Sequence, residues 1–147
     1  METGFEIQLL EGASAGVYQI VKTCLDLGTE IETKDEYGNT ALNLSALGGH
    51  LEIVKFLVEQ GADTKNKGGA ELTPLKIAAT SGFVDISKYL IAKGAKIDYD
   101  LLSIIQMKLN ILKENAETGM ILQGGVESWE SFLEFLVREF NRQNEQE

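Results

Sequence analysis

The sequence predicts an all-α stack of about three helix–turn–helix repeats, closed by a diverged C-terminal helical pair acting as a cap. Three observations carry that expectation. Several positions recur at one step of 33 residues: Gly28, Gly61 and Gly94; Gly16, Gly49 and Gly82; Ile20, Ile53 and Ile86; Cys24, Leu57 and Leu90. Each period holds turn residues followed by two stretches with helical spacing of apolar side chains. Beyond Asp98 the period stops, since Gln106, Asn115 and Glu127 stand where Thr73, Gly82 and Gly94 would recur. A fixed period of this size marks a stack of like units, which presents an extended surface and seldom encloses a catalytic pocket.

The first unit, residues 4–33, supplies two helices joined by residues 12–16, with no recognisable finger turn before them. Glu2, Glu6 and Glu11 are expected on an exposed outer side, because a stack needs a polar face at each end. The second unit, 34–66, opens with a tight turn from Asp35 to Gly38, where a carboxylate can bond the backbone and a glycine can take positive φ. Thr40 is placed to cap a helix beginning at Ala41, Gly49 breaks that helix, and another starts near Leu51. In that second helix Ile53, Val54, Phe56, Leu57 and Val58 cover more than one stripe, the pattern of a helix sandwiched between neighbours. The third unit, 67–98, repeats the start signal as Thr73-Pro74, proline being suited to the first helical position. Gly61 and Gly94 fall where a helix C-terminus needs the left-handed conformation.

The matching residues are Gly38, Thr40, Leu42, Ala46, Gly49, His50, Ile53, Val54, Leu57, Gly61, Ala62 and Asp63 in one unit. In the next they are Thr73, Pro74, Leu75, Ala78, Ala79, Gly82, Ile86, Leu90, Gly94 and Ala95. With these residues the unit resembles the ankyrin repeat, over about residues 7–98. Two features depart from the family's pattern. Asn43 and Lys76 stand where a histidine is usual, and Gly68 and Glu71 replace the Asp and Gly of the finger turn. The resemblance implies an ankyrin-repeat solenoid whose fingers and first helices line a concave, protein-binding side.

Residues 99–147 are expected to form the cap on the last repeat. Asp98-Tyr99-Asp100 reads as a helix start, followed by a helix over 101–116, a connector over 118–126 and a last helix over 128–141. Trp129, Phe132, Leu133, Leu136, Val137 and Phe140 form one face of that helix. Each such side chain gains roughly 1.5–3 kcal/mol by burial, so the face is expected against residues 101–112 and the third repeat. The other reading is a helix held out for a partner or a membrane. Its polar side carries Glu127, Glu130, Glu134 and Glu139 against Arg138 and Arg142, the wrong balance for an anionic bilayer.

Composition narrows the function. A chain of 147 residues supports one compact unit, and it has no apolar stretch near the roughly 20 residues a membrane span needs. The start, residues 1–6, is acidic and lacks the basic opening of a secretory signal, and a single cysteine forms no internal disulfide. A cytoplasmic protein is expected. The formal charge of −10 disfavours nucleic acid and mildly favours a basic partner surface, although solubility alone also accounts for it. His50 and Cys24 are the sole residues of their kinds, too few for a metal site or acid–base pair, and both read as structural. Gly48-Gly49 and Gly124-Gly125 lack the strand–loop–helix setting of a phosphate cradle. No enzyme, cofactor or metal is expected.

Partner contacts are expected from Glu36, Tyr37 and Asn39 on the first finger, from Ala70 and Leu72 on the second, and from Lys67, which precedes it. Leu47, Gly48, Thr80 and Ser81 join them from the ends of the first helices. Tyr37 and Leu47 are the informative members: they serve either as anchors for a partner or as local packing. The function expected is a non-enzymatic module, monomeric on its own, that binds a protein partner through this surface. The alternative is a dedicated enzyme inhibitor or immunity-type protein using its acidic surface. A third reading is an assembly element that oligomerises through the last helix.

Overall fold

Turn chemistry and apolar periodicity combine to give eight α-helices among the described residues. The computed structural model describes residues 4–117 and 125–146. The chain divides into two compact units, Met1–Ala95 and Lys96–Glu147.

The first unit holds three helical hairpins: α1 (Gly4–Ala15) with α2 (Tyr18–Asp26), α3 (Ala41–Gly48) with α4 (Leu51–Glu59), and α5 (Pro74–Thr80) with α6 (Val84–Ala92). First helices pack side by side as α1, α3 and α5, and second helices as α2, α4 and α6. The result is two layers with the core between them. Leu9, Leu42 and Leu75 occupy one slot of the period and are buried, as are Cys24, Leu57 and Leu90 in another. Rings and hydroxyls link the second row: Tyr18 meets Phe56 edge-on at 5.2 Å, and the Tyr89 hydroxyl donates to the Lys55 carbonyl at 3.5 Å.

The helix starts follow the sequence signals. The Thr40 hydroxyl oxygen accepts from the Asn43 N–H at 3.3 Å, while Asn43 Oδ1 accepts from the Thr40 N–H at 3.0 Å, closing a reciprocal cap. Thr73 accepts from the Lys76 N–H at 3.3 Å, with Pro74 at the first helical position. Gly61 and Gly94, just past α4 and α6, both take φ of 94°. In α4, Ile53, Val54 and Leu57 are buried and Phe56 and Val58 half-buried, as a sandwiched helix requires.

The first repeat corrects one expectation. Residues 12–15 do not join two helices; they continue α1, and only Gly16 and Val17 lead into α2. The run of small residues reflects close packing, because a Cβ on Gly12 would lie 2.8 Å from Ile20 Cγ2. Glu11 is exposed and Glu6 half-buried, and Glu2 lies outside the described residues.

The second unit pairs α7 (Tyr99–Glu117) with α8 (Gly125–Glu145), both longer than the sequence predicts. Asp98 Oδ1 accepts from the Leu101 N–H at 2.8 Å and so starts α7. The two helices run antiparallel. Tyr99 packs on Phe140 with centroids 4.7 Å apart, Lys108 lies 6.0 Å from the Trp129 ring, and Lys113 pairs with Glu130 at 2.6 Å. Phe132, Leu136 and Phe140 are buried, Trp129 and Leu133 half-buried, and Val137 exposed. Helix α8 outlasts its apolar face because Gln143 Oε1 accepts from the Ile97 N–H at 3.0 Å, anchoring the final turns. Of the expected connector, 118–124 lie outside the described residues, and 125–126 are helical.

Candidate functional site

The finger turns and first helices form the candidate surface, and backbone geometry sets its shape. In the first finger the Asp35 N–H donates to the Asn39 carbonyl at 3.0 Å, and the Gly38 N–H donates to the Asp35 carbonyl at 3.0 Å. One oxygen of the Asp35 carboxylate accepts from the Tyr37 and Asn39 N–H groups at 2.9 and 2.8 Å. The other accepts from Asn39 Nδ2 at 3.1 Å. That carboxylate is committed to the turn, which leaves Tyr37 held out at the tip.

The second finger has the same backbone pattern without the same residues. The Gly68 N–H donates to the Leu72 carbonyl at 2.9 Å and the Glu71 N–H to the Gly68 carbonyl at 3.1 Å, matching Asp35–Asn39 and Gly38–Asp35. Glu71 occupies the position of Gly38, and its φ of 60° is left-handed like the 86° of Gly38; Ala70 is also left-handed at 57°. For residues with a Cβ that conformation costs roughly 1–2 kcal/mol each. With no aspartate there, the preceding repeat ties the turn at other groups: Asn39 Oδ1 accepts from the Gly69 N–H at 2.7 Å, and Asn43 Nδ2 donates to the Asn66 carbonyl at 3.2 Å. A Cβ on Gly68 would strike Asn39 Oδ1, so the glycine that replaces aspartate makes room for this tie.

Asn43 therefore caps its own helix and braces the next finger, in a position 1% exposed. His50 also links repeats, with a ring nitrogen 3.0 Å from the Ser14 carbonyl. Glu32 does so on the turn side, accepting from the Asp63 N–H at 2.7 Å and Asn66 Nδ2 at 2.9 Å.

The residues singled out from sequence differ in what they offer a partner. Tyr37 is 72% exposed and Leu47 59%. Glu36, Gly48, Ala70 and Ser81 are exposed, with Gly48 lying against the His50 ring. Lys67 is exposed and pairs loosely with Glu71 at 3.9 Å. Asn39 is half-buried and occupied with the two fingers. Leu72 is half-buried, and the half-buried Thr80 donates its hydroxyl back to the Lys76 carbonyl at 2.7 Å.

A neighbouring feature escaped the sequence reading. Ile7, Leu10, Glu11 and Ser14 of α1, Leu44 of α3, and Asp35 and Glu36 of the finger line an open groove of about 450 Å³. Its apolar wall follows from the period: Leu10 stands where Asn43 and Lys76 stand in the later repeats. The usable signal was an apolar residue in a slot the other repeats keep polar.

Among the described residues no group of three or more His, Cys, Asp and Glu could hold a metal ion, and no helix is long and apolar enough to cross a membrane. Burial pushes the Cys24 thiol above its ordinary value, the opposite of an activated nucleophile.

A family model for ankyrin repeats in three copies matches residues 9–100. Repeats of this kind are in general protein–protein interaction modules and typically non-enzymatic. Among curated proteins none matches the chain. With well over half its length matched, a periodic two-layer stack of helical hairpins and a finger turn before each of the last two, the chain belongs to the ankyrin repeat family.

Proposed function

We propose that this chain is a non-enzymatic interaction protein that docks a protein partner on its fingers and first helices, as a monomer in the cytoplasm. The observation that carries the reading is the pairing of rigid fingers with large apolar side chains left in water. Tyr37 and Leu47 stay mostly exposed while the period's inward positions are buried. Such side chains gain most when a partner covers them, and the ties through Asn39 and Asn43 fix the fingers before binding, which lowers the entropy cost. Residues Glu36, Lys67, Ala70, Leu72 and Ser81 would form the surrounding contact, with Asn39 setting the spacing of the two fingers. An interface near the standard of about 800 Å² per partner fits the limited surface of two fingers.

The test is a double variant, Tyr37→Ala with Leu47→Ala, used as bait in lysate of the native host beside the parent chain. Loss of a protein that the parent retains supports the reading. Retention of the same set of proteins, with the variant's helicity unchanged, overturns it.

A further inference from the structure

The groove beside the first finger has a chemistry of its own. Its apolar lining comes from Ile7, Leu10 and Leu44, and Ile7 is 46% exposed. Three carboxylates stand around that lining, those of Glu11, Asp35 and Glu36. Asp35 is satisfied by the turn, accepting three hydrogen bonds. Glu11 and Glu36 are exposed, and neither makes an ion pair or hydrogen bond among the described residues. Among the described residues no lysine or arginine lines the groove, although Lys34 adjoins Asp35 in sequence. Two free carboxylates beside an apolar floor favour a ligand with an aliphatic side chain next to a cation, and repel an acidic one.

We infer that this groove binds a short basic segment of a partner protein, an aliphatic side chain seated on Ile7, Leu10 and Leu44 and flanking Lys or Arg facing Glu11 and Glu36. This rests on the reading that fingers and first helices dock a protein. It adds where along that face the partner's basic part sits and what chemistry it must have. The site extends the surface onto α1, beyond the two fingers.

The probe is an acetylated, amidated pentapeptide of sequence Lys-Leu-Arg-Leu-Lys, titrated to several millimolar into the full chain labelled with nitrogen-15. A second peptide of sequence Glu-Leu-Glu-Leu-Glu is the control. The expected result is saturable shifts at Ile7, Leu10, Glu11, Glu36 and Leu44 with the basic peptide and none with the acidic one. Glu11→Gln and Glu36→Gln should each weaken the basic peptide about two- to fivefold, and raising salt from 0.05 to 0.5 M should weaken it further. Leu10→Asn, which restores the polar residue of the later repeats, should abolish binding with the spectrum otherwise retained. Shifts confined to Tyr37, Leu47 and Ser81 overturn the groove assignment and leave the docking face standing. Shifts confined to the second helices, or scattered over every acidic patch, overturn both, and no shift with either peptide overturns the groove.

Discussion

Glu71 is the residue whose backbone says most about how this chain departs from a regular repeat. It holds a left-handed φ of 60° at a place where the preceding finger has Gly38, and it does so because neighbouring side chains fix the turn around it. Replacing it by glycine removes that strain but adds freedom to the unfolded chain, so Glu71→Gly should stabilise by a net of about 0.5–1 kcal/mol. Urea unfolding of parent and variant measures this, and a loss of stability would mean that the Glu71 side chain contributes more than its strain costs. Asn43 points the other way. Its side chain bonds the Thr40 N–H and the Asn66 carbonyl in a buried site, so Asn43→Ala should cost about 2–3 kcal/mol, leaving both groups unpaired. A thiol and a phenol give a pH signature. Burial raises the Cys24 thiol above its ordinary 9.0, and burial with the nearby Glu59 charge raises the Tyr89 phenol above 10.0. The folded chain then holds protons that the unfolded chain releases. Their stabilisation is complete below about pH 9 and is lost as pH rises through the folded values. The urea midpoint should therefore fall above pH 9, and less steeply in Cys24→Ala relative to that variant's own neutral value.

Among the elements, the inner hairpins could be read from sequence nearly in full. Thr40 and Thr73-Pro74 act locally as caps, and the slots of Leu42 and Leu57 repeat as Leu75 and Leu90, so periodicity alone separates inside from outside. What escaped was whatever depends on a neighbour across the stack. Residues 12–15 carry turn-like composition yet are helical, with Gly12 at a close approach where a Cβ would lie 2.8 Å from Ile20 Cγ2. The second finger lacks the aspartate that makes the first one legible, yet keeps its backbone hydrogen bonds, with Asn39 and Asn43 tied to Gly69 and Asn66, 30 and 23 residues further on. Helix α8 runs past its apolar face because Gln143 finds the Ile97 N–H. The candidate surface was legible where a side chain's exposure follows from the repeat, as at Tyr37 and Leu47. It was not legible at Ile7 and Leu10, where an apolar Leu10 fills the slot that Asn43 and Lys76 keep polar in the later repeats. At this scale Leu57→Ala should cost about 2–5 kcal/mol, since it empties a fully buried slot of the sandwiched α4.

For the whole molecule, a stack gains its stability from contacts between adjacent units, and a terminal unit without a cover exposes an apolar layer. We propose that α7 and α8 serve as the cap of the array. Ending the chain after Asp98 should then yield a protein that aggregates, whereas a soluble, cooperatively melting fragment would remove that role. The docking face is the larger claim, and site-specific photo-crosslinking in the native host tests it most directly. A photoreactive amino acid would be placed at Tyr37 or Leu47 on the fingers and first helices, and at Lys55 or Lys88 on the exposed side of the second helices. Discrete protein adducts from Tyr37 and Leu47, with none from Lys55 and Lys88, are the predicted result. Adducts arising only from the second helices, or from no position at all, would contradict it.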